Sequence, residues 1–321
     1  MFFNKIKFNY NTKLLDDLFV NKNYDDALET IIKNKKNKEL FKLLLNYLNN
    51  KYLLDFSHAQ FYKKKLFWIV SYDQDENIFL NNFFKNYFEK LNKNKFFIVD
   101  YKNFINIGLN NLIYDSNEKN VSFEQIIQNS NLFQTSSMLN IEQDNIIIST
   151  SSAFFETPNK RYFIHPNSTK SYVYVIRNPF QLYLRYKSIT NNSLDSLNRL
   201  NQTNYDNSIQ SSESPFKVSE NKQNWSINVG SWNDENVKDT FRGKIIKFED
   251  LRESTYDSLV EILFHFKQSG LDVDLDYELI NNYVNSNIVE NDYENNLSRQ
   301  ESKMVINGLN KSLLSEFEYQ V

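Results

Sequence analysis

The chain of 321 residues contains no cysteine, and this absence excludes disulfide bonds and thiolate metal sites. The three histidines, His58, His165 and His265, lie far apart in the sequence, so no spacing among them indicates a metal centre. Glycine and proline are also scarce, at 5 and 4 residues. The scarcity of glycine matters because a loop whose backbone approaches a phosphate group usually needs it.

Long apolar runs and a strong excess of charge are missing as well. No stretch of about 18 apolar residues indicates a membrane-spanning helix, and the first residues lack the continuous apolar core of a secretory signal. The formal net charge of −3 gives no general reason to expect nucleic acid or an anionic membrane as a partner. We therefore expect a soluble, cytoplasmic protein.

The sequence does contain ample material for a packed core, with 40% hydrophobic residues that include 27 Phe and 20 Tyr. Apolar runs rich in β-branched and aromatic residues predict five strands, at 66–71, 96–100, 146–148, 172–176 and 244–248. Helical periodicity follows the first and the last of them, at 77–91 and 255–267. This alternation predicts βαβ units and a mostly parallel sheet.

Two further regions differ from this alternation. Residues 13–63 carry apolar side chains at three- and four-residue spacing, which predicts a helical extension over 1–64 packed on an α/β domain over 65–321. Residues 191–224 are rich in Ser, Asn and Gln, and this composition predicts a long surface loop or lid. The last segment, 275–321, reads as helices and loops.

The most informative stretch is the strand at 172–176 together with the residues that follow it. Arg177 and Asn178 end the strand, and Pro179 can occupy the first turn of a new helix. A guanidinium is thereby placed at the carboxyl end of a buried strand. Ligands bind at that edge of parallel α/β sheets.

Two more motifs follow in order, WSINVGSW at 225–232 and KIIKFEDL at 244–251. Together with the strand-Arg-Asn-Pro-helix unit, they resemble the sulfotransferase family, whose members carry R-[ND]-P, W-S-x-[HN]-V-x-S-W and x-I-R-Y-E-D-L. The resemblance runs from about Leu66 to the C-terminus. It implies a three-layer α/β fold of the P-loop-containing, sulfotransferase-like kind, and 3′-phosphoadenosine-5′-phosphosulfate as the donor.

The family's donor loop, Pro-Lys-Ser-Gly-x-Thr-Trp after the first strand, is not kept in this chain. The corresponding residues run from Asp73 to Phe79, with Gln74 at the lysine position, Glu76 at the glycine position and Ile78 at the threonine position. Only the aromatic character of Phe79 remains. We expect Phe79 to contact the donor if one binds.

Asp73, Asp75 and Glu76 put three carboxylates at the start of the helix that follows the first strand. They stabilise that helix by capping it and by opposing its dipole. They also repel a phosphosulfate, since one unit charge at about 4 Å near a protein surface is worth up to roughly 4 kcal/mol. If these side chains fill the phosphate position, the donor site is closed.

The resemblance also implies a histidine base after a central strand, where this chain has Ser151. A serine has no pKa suited to base catalysis near neutral pH. His165 could substitute, but a surface histidine without a role is the favoured interpretation. We therefore assign no catalytic residue.

In the family, the Arg of the Arg-Asn-Pro motif and a Ser eight residues later hold the 3′-phosphate. Arg177 matches the first, and Arg185 stands at the second position. Two guanidiniums could hold an anion; alternatively, Arg177 pairs with a carboxylate and Arg185 is solvated.

The resemblance implies that Trp225 and Trp232 line the wall of the site that binds the sulfate acceptor. Ordinary packing in the hydrophobic core is the alternative, and it is the favoured interpretation. Glu249 and Asp250 are expected to cap the helix that follows them.

Two functions remain open. One is a sulfotransferase-like pseudoenzyme, a binding or structural module whose donor loop and base are lost. The other is an active sulfuryltransferase that moves sulfate from 3′-phosphoadenosine-5′-phosphosulfate to a hydroxyl of a carbohydrate or small molecule. A nucleotide- or glycan-binding module that reuses the cleft is a third possibility.

Overall fold

The structure is a computed structural model that describes twelve segments of the chain. They are residues 2–21, 23–34, 36–37, 39–44, 47, 64–91, 95–112, 130–156, 162–165, 168–201, 220–287 and 297–319.

A five-stranded sheet forms the centre of the fold, with all strands parallel and in the order β2-β3-β1-β4-β5. The strands are β1 Lys65–Ser71, β2 Phe96–Asp100, β3 Asn145–Thr150, β4 Thr169–Ile176 and β5 Gly243–Lys247. Each predicted strand is present, and the boundaries differ by at most three residues. The prediction of a parallel sheet is confirmed.

Helices precede, connect and follow these strands. In chain order they are α1 Phe2–Val20, α2 Tyr24–Lys33, α3 Gln74–Lys90, α4 Tyr101–Leu112, α5 Ser130–Asn140, α6 Pro179–Thr190, α7 Ser193–Asn201, α8 Trp225–Asn233, α9 Glu235–Phe241, α10 Phe248–Glu253, α11 Thr255–Gln268, α12 Tyr277–Ser286, α13 Arg299–Asn307 and α14 Lys311–Glu316. Among these helices, none combines the length and the apolar character that crossing a membrane requires.

The three inner strands, β3, β1 and β4, are buried on both faces, whereas the edge strands β2 and β5 are mostly half-buried. The side chains of the inner strands alternate between two hydrophobic clusters. In β1, Trp68 and Val70 belong to one cluster, while Phe67 and Ile69 belong to the other. This alternation follows from the two-residue period of a strand. Helices cover both clusters, so the molecule is a three-layer α/β fold.

The central strand β1 and its neighbour β4 are each followed by a helix, and the two helices lie on opposite faces of the sheet. Leu80 and Phe83 of α3 pack in the Phe67 cluster, whereas Leu182 and Tyr183 of α6 pack in the Trp68 cluster. The chain therefore leaves β1 and β4 in opposite directions. Such a point opens a crevice at the carboxyl edge of the sheet, where ligands bind in open α/β sheets.

The N-terminal helices share the Trp68 cluster, to which Leu15, Ile31 and Phe41 contribute buried side chains. Helices α1 and α2 agree with the helical periodicity of this region. Residues 48–63 of the predicted helical extension lie outside the described residues. The boundary at residue 64 between an extension and a domain stays a prediction.

The prediction of a loop or lid over 191–224 is wrong in its first part, because α7 occupies Ser193–Asn201. The Asn192 side chain accepts hydrogen bonds from the backbone amides of Leu194 and Asp195, which is helix capping. Leu200 is fully buried on the inner face of this helix. Residues 202–219 lie outside the described residues.

Candidate functional site

The junction between β4 and α6 places Arg177 at the crevice. Asn178 caps α6 by accepting a hydrogen bond from the Phe180 amide at 2.9 Å, and Pro179 occupies the first helical position. The guanidinium of Arg177 stacks on the Phe248 ring, 4.5 Å from its centroid, and is only 5% exposed. The junction forms as the strand-Arg-Asn-Pro pattern predicts.

The junction between β1 and α3 supplies the acids. Helix α3 begins at Gln74, three residues earlier than the periodicity predicts, because Asp73 caps it by accepting from the Gln74 amide at 2.7 Å. Asp75 and Glu76 lie in its first turn. Their charges oppose the helix dipole, so the acidic start of this helix is locally stable.

The acids at the start of α3 pair across the crevice with Arg177, which follows β4, and with Arg185 of α6. Arg177 Nη1 lies 2.9 Å from Glu76 Oε1, and both side chains are almost completely buried. Arg185 Nη1 donates to Asp73 Oδ2 at 2.7 Å, and its Nη2 pairs with Asp75. The structure thus brings Arg177 and Arg185 to the same helical turn, where each one contacts at least one carboxylate.

Two carboxylates of this turn have opposite pKa shifts. Burial, together with the charge of Asp73, raises the pKa of Glu76 to about 7, although Arg177 acts in the other direction. Burial alone would also raise the pKa of Asp73, but the charges of Lys222 and Arg185 lower it below its ordinary value. Within the described part of the chain, Glu76 Oε2 has no hydrogen-bond partner.

Lys222 brings a third cation to this edge, although it comes from a distant part of the chain. Its Nζ lies 4.0 Å from the centroid of the Tyr72 ring and donates a hydrogen bond to the Tyr186 hydroxyl at 3.3 Å. Tyr186 in turn hydrogen-bonds Asp73. Burial lowers the pKa of Lys222, and Asp73 and Glu76 offset part of that effect.

The carboxyl end of β3 binds the carboxylate of Glu220. Glu220 Oε1 accepts hydrogen bonds from the Thr150 hydroxyl at 2.7 Å and from the Ser151 amide at 3.0 Å. Its Oε2 accepts from the Ser151 hydroxyl at 3.2 Å and lies 3.8 Å from Lys102 Nζ. Four groups hold this carboxylate, so it fixes the end of the strand.

Helix α8 contains the WSINVGSW motif, and its side chains hydrogen-bond the ends of β3 and β4. Its two tryptophans are fully buried, with Trp225 donating to the Arg177 carbonyl and Trp232 to the Ser152 carbonyl. The favoured interpretation, that both pack in the core, is confirmed. Asn228 bonds the carbonyls of Ser151 and Lys222, so it holds the end of β3 next to the segment that carries Lys222.

Phe79 is the one candidate site residue that the structure places apart from the arginines. It lies on α3, one turn past the acids, and its ring packs edge-on against Tyr283 at 6.1 Å in the Phe67 cluster. No contact of the Phe79 ring with Arg177 or Arg185 is found among the described residues. Its predicted contact with the donor stays a prediction.

One prediction near the site is wrong. His165 is not a surface residue: it is 2% exposed, burial lowers its pKa to about 4, and its Nδ1 accepts a hydrogen bond from the Ser168 amide. Glu249 and Asp250 lie in the first turn of α10, where their charges favour the helix start. Glu249 also makes longer-range contacts. Its two oxygens accept from the Asn178 amide and the Tyr319 hydroxyl, so it ties α6 to the C-terminal segment.

Sequence reasoning missed Glu220 and Lys222 as site residues. Both lie in the polar stretch predicted as a loop, where nothing in the spacing marks either of them. Their burial depends on Asn228 and on the end of β3, which are far away in the sequence.

No protein-family model matches this chain, and no curated protein matches it. The site is therefore interpreted from its own residues. It gathers cations and carboxylates in nearly balanced numbers at the carboxyl edge of the sheet.

Proposed function

We propose that this protein is a sulfotransferase-like pseudoenzyme, a binding or structural module that has lost sulfuryl transfer. The observation that carries the proposal is the pairing of both candidate donor-binding arginines with acids of the α3 start. Arg177 is bound by Glu76, and Arg185 by Asp73 and Asp75. These carboxylates already bind guanidinium N–H groups that a phosphate would need.

Electrostatics and sterics both oppose donor binding at this edge. A nucleotide phosphate that bound Arg177 would displace Glu76 and leave its carboxylate buried without a partner. Breaking a buried ion pair in this way costs about 3–5 kcal/mol, which corresponds to at least about a hundredfold loss of affinity. Glu76 also adds a side chain where a glycine would let the backbone approach a phosphate.

Calorimetric titration with 3′-phosphoadenosine-5′-phosphate tests the proposal. We expect no heat of binding from the wild-type protein at ligand concentrations up to about 1 mM, a level that still detects weak complexes. Wild-type protein incubated with labelled 3′-phosphoadenosine-5′-phosphosulfate and sugar or phenol acceptors should transfer no sulfate. Micromolar binding that Arg177→Ala abolishes would contradict the proposal.

An active sulfuryltransferase is the second candidate, and it is favoured by the segment 220–222. Lys222 brings an ammonium to the acidic turn, and Glu220 brings a carboxylate to Ser151. In an active enzyme these groups would supply the missing charge stabilisation and the missing base. Sulfate transfer in the same assay, lost in Lys222→Met and in Glu220→Gln, would establish this function in place of the first.

A further inference from the structure

A small cavity of about 180 Å³ lies beside the ion pairs, and Lys222 forms part of its wall. Its other lining residues are Asp73, Gln74, Asp75, Arg185, Tyr186 and Arg199. A water molecule takes up about 30 Å³ in the liquid. The cavity therefore suits a molecule of about six non-hydrogen atoms, which is far smaller than a nucleotide.

The amine of Lys222 is held in a defined position at the wall of this cavity. Its Nζ stands over the Tyr72 ring and donates one hydrogen bond, to the Tyr186 hydroxyl. Within the described part of the chain, that is its one hydrogen bond, which leaves its other N–H groups available to a molecule in the cavity. The residue is only 9% exposed, so solvent competes little for the amine.

Buried lysines of this kind form Schiff bases, because desolvation increases the fraction of neutral, nucleophilic amine. The direction of the Lys222 pKa shift agrees with this behaviour. The acids nearby do not oppose the product, since a protonated imine carries the same positive charge as the ammonium. Asp73 and Glu76 thus stabilise Lys222 before and after the reaction.

We propose that Lys222 is a covalent capture site for a small aldehyde or ketone that carries a carboxylate. The nitrogen attacks the carbonyl carbon and forms a C–N bond, and the carbonyl oxygen leaves as water. Of the three ammonium protons, two leave with that water and one stays on the iminium nitrogen, so atoms and charge balance. Three cationic side chains and two carboxylates line the cavity, so its wall carries a net charge of about +1. This net charge suits the carboxylate of the ligand.

This inference does not depend on the loss of sulfuryl transfer, because it uses neither the donor nor a catalytic base. It concerns the chemistry of one amine, which reductive trapping measures directly. The two proposals can therefore fail separately.

The experiment treats the full-length protein with glyoxylate and sodium cyanoborohydride near neutral pH, followed by peptide mapping. Reduction of the imine leaves a carboxymethyl group on the lysine that reacted. We expect Lys222 to be modified at least about ten times faster than the exposed lysines Lys85 and Lys90 of α3, since its amine is less protonated. Acetaldehyde, which has no carboxylate, should react at Lys222 more slowly than glyoxylate does.

Lys222→Arg is the matched variant, because it keeps the charge over Tyr72 and removes the nucleophile. In this variant the fast phase of labelling should disappear while the slow labelling of other lysines continues. The relative rates within the wild-type protein give an independent result if the variant folds poorly. Labelling of Lys222 no faster than that of Lys85 and Lys90, or no labelling at all, would overturn the proposal.

Discussion

The two strand-to-helix junctions at the carboxyl edge of the sheet are built alike but carry opposite charge. After β4, the chain turns through Arg177 and Asn178 into α6, and after β1 it turns through Tyr72 and Asp73 into α3. Both helices begin with a side-chain cap, and both starts face the same crevice. One junction contributes a buried arginine, and the other contributes the acids that neutralise it.

This difference shows how a helix start can satisfy its preference for negative charge without a bound anion. The free amides and dipole of a helix N-terminus favour negative charge, whether it comes from a ligand or from the chain itself. At α3 the chain supplies that charge through Asp73, Asp75 and Glu76. The N-terminus of α3 therefore interacts with carboxylates of the chain itself, in the place that a bound phosphate takes at other helix starts.

The largest expected effect comes from breaking the buried pair between the two junctions. Glu76→Ala leaves the Arg177 guanidinium charged and buried without its carboxylate, which should lower the free energy of unfolding by about 3–5 kcal/mol. Urea denaturation measures this loss. The double variant Glu76→Ala with Arg177→Met should be more stable than Glu76→Ala alone, because it removes both charges. A loss below about 1 kcal/mol would mean that the pair behaves as an exposed one.

The pH dependence of stability separates the two carboxylates of the α3 start. The folded-state pKa of Glu76 is raised, so its contribution is fully present below its unfolded pKa and is lost as the pH rises through about 7. The free energy of unfolding of the wild-type protein should therefore fall as the pH rises to about 7. The total fall is at most about 1.4 kcal/mol for each unit by which the folded-state pKa of Glu76 exceeds its unfolded value. Glu76→Gln should flatten the fall, as measured by urea denaturation at several pH values.

Asp73 should show the opposite sign. Its folded-state pKa is lowered, so its contribution is present above its unfolded pKa and is lost as the pH falls through the folded value. Asp73→Asn should therefore destabilise the protein at neutral pH and lose its effect in strong acid. Equal effects of Asp73→Asn at neutral and acid pH would contradict this account of the shift.

The smallest effects distinguish the two acids that share Arg185. Asp73 is buried and caps α3, whereas the Asp75 side chain is 55% exposed. Asp73→Ala should cost about 1–2 kcal/mol through the lost cap alone, and Asp75→Ala less than about 1 kcal/mol, as for exposed pairs. Thermal unfolding of the two variants side by side checks the order. A larger loss from Asp75→Ala would mean that the outer ion pair dominates.

The sequence is most informative where one strand and the turn after it determine the structure. The five strands and the Arg177-Asn178-Pro179 junction follow from local apolar runs and from one proline, so they could be predicted. The acidic start of α3 was also visible in the sequence, although the partners of its acids were not. The pairing of Glu76 with Arg177 depends on the adjacency of β1 and β4, which local patterns do not encode.

The parts of the site that escaped prediction lie in polar segments held by tertiary contacts. In the sequence, Glu220 and Lys222 resemble solvated loop residues. In the structure, Ser151 donates hydrogen bonds to the Glu220 carboxylate, and Asn228 donates one to the Lys222 carbonyl. Helix α7 escaped for the same reason, since its capping residue Asn192 stands in a stretch of polar residues. His165 was likewise predicted to be a surface residue because it is polar, but it is buried in the structure.

The most direct test of the proposal that acids close a donor site introduces the loop residues of the sulfotransferase family and compares affinities. In the variant Gln74→Lys, Asp75→Ser and Glu76→Gly, both arginines lose partners and the helix start gains a glycine. Calorimetry should detect binding of 3′-phosphoadenosine-5′-phosphate to this variant and none to the wild-type protein. Wild-type affinity equal to that of the variant would contradict the account, since the acids would then not close the site.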